Sequence, residues 1–207
     1  LENNPLVEYV DAKQIYFDNY ISKLYPPQAI ENIKQAMDQG AKFIFDGIWG
    51  VGGKTIKYYL DRLFGDYPWQ GKIIIINDQP DPAMRGILKP DPSIVDTLEY
   101  TGALQQLANN PEVLVSVTAD MDADRIGISV IIPDEYVVKA KRFGLVVKQS
   151  QGVNMVCFTP NQIFTLIAYE RALQLMQLRG IDPAKLHLLT SIPTSKIAKT
   201  MIESLGG

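Results

Sequence analysis

The sequence has few of the residues that most often carry catalysis. Its 207 residues include one histidine, His187, and one cysteine, Cys157. A single histidine leaves little room for histidine-based acid–base chemistry or for a multi-histidine metal site. A single cysteine excludes an internal disulfide framework and is typical of a reducing compartment, so we expect a cytoplasmic protein. Both residues lie in apolar stretches, and we predict structural roles for them.

Long apolar runs and an excess of positive charge are also absent. Nowhere do roughly 18 apolar residues follow one another, so no membrane span is predicted. With 20 Lys+Arg against 23 Asp+Glu the formal charge is −3, and without a basic stripe nucleic acid is not an expected partner. The composition is 46% hydrophobic, which supplies a core and excludes disorder. The sequence does not indicate an oligomeric state.

Apolar runs alternate with helical patterns through the first 152 residues. This order of elements is typical of an α/β layer structure. One helix is predicted from Ser93 through Leu107, and further short strands are predicted around Phe143-Gly144 within 136–149. The predicted strands are 42–46, 72–76, 113–118 and 126–132, with helices before, between and after several of them.

A second and shorter unit is predicted after Gly152. Thr159 and Pro160 form a helix start, with Thr at the N-cap and Pro at the first helical position, and the helix ends at Gly180. A strand over 186–189 and a helix over 195–205 follow. We therefore predict one domain over 1–152 and a partial α/β domain over 153–207. Because the chain begins with Leu1 and not Met, we expect it to be a piece of a longer protein.

The strongest chemical signal is the acidic loop Asp120-Met121-Asp122-Ala123-Asp124-Arg125. Three carboxylates at alternate positions of an extended loop point to one side. Two such charges about 4 Å apart repel by roughly 1 kcal/mol in water and roughly 4 kcal/mol at the dielectric of a protein surface. A cation would relieve that repulsion, and all-oxygen ligands with room for water or phosphate favour Mg²⁺. The alternative is a solvated acidic loop.

An EF-hand is excluded for this loop. An EF-hand needs Gly at its sixth position and Glu at its twelfth. Counted from Asp120, those positions hold Arg125 and Ile131.

Two further loops are candidates for binding phosphate. The segment from Asp46 to Thr55 has glycines followed by Gly-Lys-Thr and resembles a P-loop, but the required first glycine is replaced by Ile48. We therefore predict a glycine-permitted turn from a strand to a helix. The proline-rich loop 81–92 carries Arg85 and Lys89, for which we favour solvated charges over a phosphate contact.

Hydroxyl side chains cluster near the end of the chain, at Thr190-Ser191 and Thr194-Ser195. These are nucleophile types, but no base is near them in the sequence. A helix N-cap at Thr194 or Ser195 is the favoured interpretation.

The acidic loop, followed by Gly127, resembles the metal-binding loop of the α-D-phosphohexomutases, the phosphoglucomutase/phosphomannomutase superfamily. In that family the loop closes the second of four domains and reads Asp-Gly-Asp-Gly-Asp-Arg or Asp-Pro-Asp-Ala-Asp-Arg; Met121 departs from the usual Gly or Pro. Neighbouring segments agree in order and spacing with the same family: Asp46-Gly47 through Gly53, Lys89-Pro90-Asp91-Pro92, Asn161-Gln162-Ile163 and Ser191-Ile192-Pro193-Thr194-Ser195.

The resemblance implies a fold and an activity. The fold would be a layered mixed sheet with helices on both faces, followed by the start of a third domain. The activity would be phosphoryl transfer between O1 and O6 of a hexose phosphate, through a phosphoserine and a bisphosphorylated intermediate. Asp120, Asp122 and Asp124 would hold Mg²⁺, and Arg125 would contact the phosphoryl group.

Other parts that the family requires are missing from this sequence. We find no serine loop of the Thr-Ala-Ser-His-Asn-Pro type, no Gly-Glu-Glu-Ser-Gly-type sugar loop and no phosphate loop of a fourth domain. We therefore expect a central fragment that is inactive alone, and the identity of the hexose stays open. Two alternatives remain: a phosphatase of the haloacid-dehalogenase type, and a non-catalytic α/β binding module.

Overall fold

A six-stranded mixed sheet organises the chain, of which the computed structural model describes residues 6, 8–190 and 195–207. The strands are β1 (Lys42–Asp46), β2 (Ile73–Ile76), β3 (Val113–Ala119), β4 (Ile126–Ile131), β5 (Val146–Ser150) and β6 (Val153–Phe158). Their spatial order is β2-β1-β3-β4-β6-β5. β1 runs parallel to β2 and β3, while the pairs β3–β4, β4–β6 and β6–β5 are antiparallel.

Helices fill three of the five connections between these strands, and further helices precede and follow the sheet. A π-helical turn, Phe17–Ile21, joins the first two helices, and 3₁₀ turns lie at Met84–Gly86 and Pro183–Lys185. The α-helices are α1 (Ala12–Tyr16), α2 (Ser22–Leu24), α3 (Pro27–Asp38), α4 (Gly52–Phe64), α5 (Val95–Tyr100), α6 (Ala103–Asn109), α7 (Asp134–Arg142), α8 (Pro160–Arg179) and α9 (Lys196–Ser204).

The core lies on both faces of the sheet, because successive side chains of β1 point to opposite sides. Ile44 packs in a buried cluster with side chains of α5 and α6, such as Leu98 and Leu107. Phe43 packs on the other side, against a cluster that includes Met37 of α3 and Phe64 of α4. The predicted α/β architecture, a mixed sheet with helices on both faces, is therefore confirmed.

The carboxyl ends of the three parallel strands meet at one edge of the sheet. Asp46, the last residue of β1, is in register with Ile76 of β2 and with Thr118 of β3. In open α/β sheets ligands bind in the crevice outside these strand ends. The acidic loop follows β3 directly, so the fold places it at this edge.

The segment 136–149 contains the end of α7, to Arg142, and most of β5, from Val146, so the predicted short strands around Phe143-Gly144 are corrected to one helix followed by one strand. Pro133 precedes the first turn of α7, which carries Asp134 and Glu135, and the last turn carries basic residues. Both charge signs match the helix dipole. Gly144, with φ of +73°, follows the helix and leads into β5.

Two other predicted elements were wrong in detail. The helix expected from Ser93 through Leu107 is divided into α5 and α6 by Gly102, whose φ is +80°. The strand expected over 186–189 has no regular structure; the segment follows a 3₁₀ turn, and a strand requires a neighbour with which to pair.

The position 152/153, where the sequence predicted a domain boundary, lies inside a hairpin. Gln151 and Gly152 form the turn between β5 and β6, and β6 also pairs with β4. α8 then packs against β4, and α9 packs against α8. The predicted boundary therefore falls between two paired strands of one sheet, and the division of the chain into two units stays a prediction. In the described residues, no helix is both long and apolar enough to cross a membrane.

Candidate metal centre at the carboxyl edge of the sheet

The three acidic side chains of the β3–β4 connection converge. One oxygen from each of Asp120, Asp122 and Asp124 lies within 4.8 Å of the others. Asp120 is 1% exposed, whereas Asp122 and Asp124 are exposed. The acidic loop is therefore a cluster with one buried and two solvent-facing carboxylates.

A tight turn, and not extended backbone, produces this convergence. The Asp120 N–H donates to the Arg125 carbonyl at 3.1 Å, and the Ala123 N–H donates to the Asp120 carbonyl at 3.1 Å. Ala123 has a left-handed φ of +61°. The predicted extended backbone, with side chains alternating in direction, was therefore wrong. The turn nevertheless brings the same three residues together.

Arg125 is fixed by carboxylates on two sides. Its Nε donates to Asp120 Oδ2 at 2.8 Å, and one terminal nitrogen donates to Asp91 Oδ2 at 2.5 Å. The Arg125 backbone N–H also donates to Asp120 Oδ1 at 3.0 Å. The guanidinium is about half exposed, so it is oriented by these bonds and still open to a ligand.

The charges of the loop act on one another. Hydrogen bonding with Asp120, together with repulsion from its charge, raises the pKa of Asp124. Partial burial alone would raise the pKa of Asp91, but hydrogen bonds from Ser93 and the nearby Arg125 outweigh burial and hold that pKa below its ordinary value. Asp91 is therefore an ionised anchor for Arg125, whereas the acidic cluster itself carries a charge that a cation would relieve.

Asp120 and Asp122 of the cluster line a cleft of about 260 Å³. Lys89 and Arg125 contribute positive charge to its lining, and the cluster contributes negative charge. Arg85, the other cation of the proline-rich loop, does not line this cleft; it lies over the Trp49 ring and pairs with Asp81 at 3.2 Å. Asp91 and Met121 also line the cleft.

The donor set fits a hard divalent cation. At metal–oxygen distances of about 2.1 Å, octahedral Mg²⁺ has ligand oxygens about 3–4 Å apart, so oxygens already within 4.8 Å need only small movements. Arg125 uses one lone pair on each oxygen of Asp120, and each carboxylate oxygen has a second. The residues present therefore fit Mg²⁺ by ligand type and spacing.

The turn between β1 and α4 lies beside the acidic loop. Four successive backbone N–H groups of this turn are bonded to protein acceptors: Ile48 to Asp46, Trp49 to Asn77, Gly50 to Gly47 and Val51 to Met121. These four groups are therefore not available to cradle a phosphate, which agrees with the predicted strand-to-helix turn.

Asp46 and Asn77 support this turn, and sequence reasoning assigned neither a role. Asp46 is fully buried, and its Oδ1 accepts from the Ile48 N–H at 3.0 Å and from the Asn77 side chain at 2.9 Å. Its Oδ2 has no hydrogen-bond partner in the described part of the chain. The only sequence feature that could have indicated them is their position: Asp46 ends one predicted strand, and Asn77 directly follows another.

The remaining candidates lie away from this edge. Cys157 is buried in β6 and His187 is exposed after the 3₁₀ turn, so His187 is not a core residue. Ser195 is the N-cap of α9, as predicted, and its N–H donates to Asn161 Oδ1 at 3.2 Å. The hydroxyls of Ser191 and Thr194, and with them most of the Ser191–Ser195 segment, lie outside the described residues.

Comparisons with known proteins give a likeness among solved structures. Neither the protein-family models nor the curated proteins yield a match. Among solved structures, the chain is similar to a putative phosphomannomutase from Thermus thermophilus, with 22% identity and a TM-score of 0.41. The match covers 69% of this chain and 28% of that protein, so this chain spans well under half of its length. A likeness of this size identifies neither a family nor an activity.

Proposed function

We propose that this chain is the metal-loop segment of a phosphohexomutase-type enzyme. The observation that carries the proposal is the convergence of three carboxylates beside an oriented arginine, at the carboxyl ends of the parallel strands of the mixed sheet. The resemblance of Asp120–Gly127 to the metal loop of that superfamily supports the same assignment. The phosphoryl group would come from a serine outside this chain, and the substrate would be a hexose phosphate.

Each charged side chain of the acidic cluster and the adjoining cleft has a role that follows from its charge and position. Asp120, Asp122 and Asp124 would hold Mg²⁺, which when bound supplies charge neutralisation for phosphoryl oxygens. Arg125 presents its guanidinium to a phosphoryl group while Asp91 and Asp120 restrict its rotation. Lys89 adds a second cation to the same cleft. Fixed positive groups of this kind stabilise charge during phosphoryl transfer.

The phosphatase alternative requires a nucleophilic aspartate. In a haloacid-dehalogenase-type reading that residue is Asp120, whose side chain is 1% exposed and accepts from both the backbone and the side chain of Arg125. That class has a helix after its second Asp, whereas here the strand β4 follows the acidic loop, which disfavours this alternative. Phosphatase activity that disappears in Asp120→Asn would nevertheless restore this alternative.

Calorimetric titration of Mg²⁺ into the 207-residue chain tests the proposal. We expect one binding site, with affinity reduced by at least about tenfold in Asp122→Asn because a ligand is lost. Asp66→Asn is the matched control, since Asp66 is an exposed acid away from the cleft, and it should bind Mg²⁺ like the unmodified chain.

Two results would contradict the proposal. Identical heats for the unmodified chain and Asp122→Asn would favour a non-catalytic module whose acids are only solvated. Interconversion of hexose 1- and 6-phosphates by the 207-residue chain alone would overturn the assignment as a fragment that needs a serine from elsewhere.

A further inference from the structure

The conformation of the acidic loop depends on a contact from the turn between β1 and α4. We propose that Gly50 is a positioning residue for the metal centre: its bare Cα, with the Val51 N–H, fixes Met121 and so aims the carboxylates on either side of it. The inference rests on the proposed function in one respect, namely that the acidic loop which Gly50 positions is a metal centre.

Gly50 and Met121 are in backbone-to-backbone contact. A Cβ on Gly50 would lie 2.5 Å from Met121 Cα and 2.8 Å from its carbonyl carbon, so no other residue fits without displacing the acidic loop. The Val51 N–H donates to the Met121 carbonyl at 2.9 Å. Met121 stands between Asp120 and Asp122 in the chain, so a shift of its backbone moves both carboxylates.

The turn that presents this contact is held in an unfavourable conformation. Ile48 and Trp49 have left-handed φ values of 43° and 52°, and Ile48 is both β-branched and fully buried. Such a pair persists only where its surroundings enforce it. Asp46 Oδ1 accepts from Ile48, and the Asn77 carbonyl accepts from Trp49 at 2.9 Å. Strained backbone is commonly found at functional sites, where the surrounding structure enforces it. Here the strained residues precede Gly50 and hold it in close contact with Met121.

The experiment compares Gly50→Ala with Gly52→Ala in the 207-residue chain. Gly52 is the first residue of α4, and a Cβ there would meet Ala123 Cβ of the acidic loop and Phe45 Cζ at 3.5 Å, an ordinary contact that displaces neither. Amide hydrogen exchange over 119–126 reports the order of the acidic loop, and Mn²⁺ titration followed by electron paramagnetic resonance reports the carboxylates. We expect Gly50→Ala to speed loop exchange and weaken Mn²⁺ binding, each by at least about tenfold, and Gly52→Ala to change neither.

A second pair of variants keeps the test decisive if Gly50→Ala does not fold. Val51 is 55% exposed and has φ of −78°, which a proline can adopt. Val51→Pro replaces the N–H donor by a ring carbon that also presses on the Met121 carbonyl, so it breaks this contact with little other loss of packing. Val51→Ala keeps that donor. We expect faster exchange over 119–126 in Val51→Pro and unchanged exchange in Val51→Ala.

Each outcome bears on one claim. Unchanged loop exchange in folded Gly50→Ala or Val51→Pro overturns the inference, and so does faster exchange with unchanged Mn²⁺ affinity. If the unmodified chain binds no Mn²⁺, the proposed function fails, and loop exchange alone still decides whether Gly50 positions the acidic loop.

Discussion

At the scale of single residues, Asp46 shows how a buried charge supports the site at a cost. Burial raises the pKa of Asp46 above its ordinary value of 3.8, although polar contacts with Thr101, Asn77 and Ile48 act in the opposite direction. A raised pKa in the folded state means that the stability contributed by Asp46 is fully present below about pH 3.8 and is lost as the pH rises through the folded-state pKa.

Asp46→Asn should therefore stabilise the chain at neutral pH. The amide carbonyl can still accept from Ile48 and Asn77, while the charge near the unpaired Oδ2 is removed. The amide nitrogen that replaces Oδ2 also lacks a partner, so the gain comes from removing the buried charge alone, and each unit by which burial raises the pKa is worth about 1.4 kcal/mol. Urea unfolding at about pH 7 and about pH 3.5 measures it: the gain should shrink at the lower pH. A difference that does not vary with pH would contradict this account.

The site was predictable from sequence only in part. Residues whose partners are close in the chain form a recognisable pattern, whereas residues whose partners are distant do not. Asp120, Asp122, Asp124 and Arg125 share one loop, so their spacing alone indicated a cluster. Asp91 and Asp46 act through contacts with residues that are distant in sequence or through burial, and neither has a local pattern. Asp91 stood in the Pro-Asp-Pro segment, which was noted as similar to a family loop but was given no role.

At the scale of elements, the break between α5 and α6 serves the same edge of the sheet. Gly102 ends the first helix with φ of +80°, and the Thr101 carbonyl accepts from the Asn77 side chain at 3.0 Å instead of continuing a helical ladder. The periodicity of apolar residues continues across the break, which is why a single helix was predicted. A bond to a residue 24 positions away is invisible to such a pattern.

Gly102→Ala is expected to destabilise the chain by about 1–2 kcal/mol, the cost of a left-handed alanine. Sterics do not contribute, because a Cβ at Gly102 would meet no atom within 4 Å. Gly102→Asn is the control and should lose less, since asparagine tolerates this conformation better. Equal stability of Gly102→Ala and the unmodified chain, measured by thermal unfolding, would show that the helix break can relax.

The other elements also differ in how well the local sequence predicts them. β1 to β4 are apolar, β-branched runs between turn residues, and all four were predicted. α7 contains Val137 and Val138, which favour a strand, yet its charged ends and the Gly144 turn produce a helix. The apolar run at 186–189 looked like a strand, but whether such a run forms one depends on a neighbour that the local sequence does not contain.

At the scale of the whole molecule, β6 ties the second part of the chain to the first. Met155, Val156 and Cys157 are each at most 3% exposed, and β6 separates β4 from β5 in the sheet. A domain that ended at residue 152 would lose this strand and leave β5 without its partner.

Truncation tests this dependence. We expect residues 1–152 to unfold non-cooperatively or to aggregate, because three buried side chains and two strand pairings are lost. Residues 1–180, which retain β6 and α8, should keep a cooperative transition by circular dichroism. A cooperative, monomeric 1–152 chain would support the domain boundary predicted from sequence and contradict the dependence on β6.

The buried position of Cys157 allows the opening of the sheet to be measured through the reactivity of this thiol. The thiol is buried in β6 beside the Ser129 hydroxyl at 3.5 Å, and burial raises its pKa. Thiolate is the reactive form, so an alkylating reagent meets this sulfur only after the sheet separates around β6. As the sequence has a single cysteine, the rate of labelling reports how often the sheet opens around β6, and no probe has to be introduced.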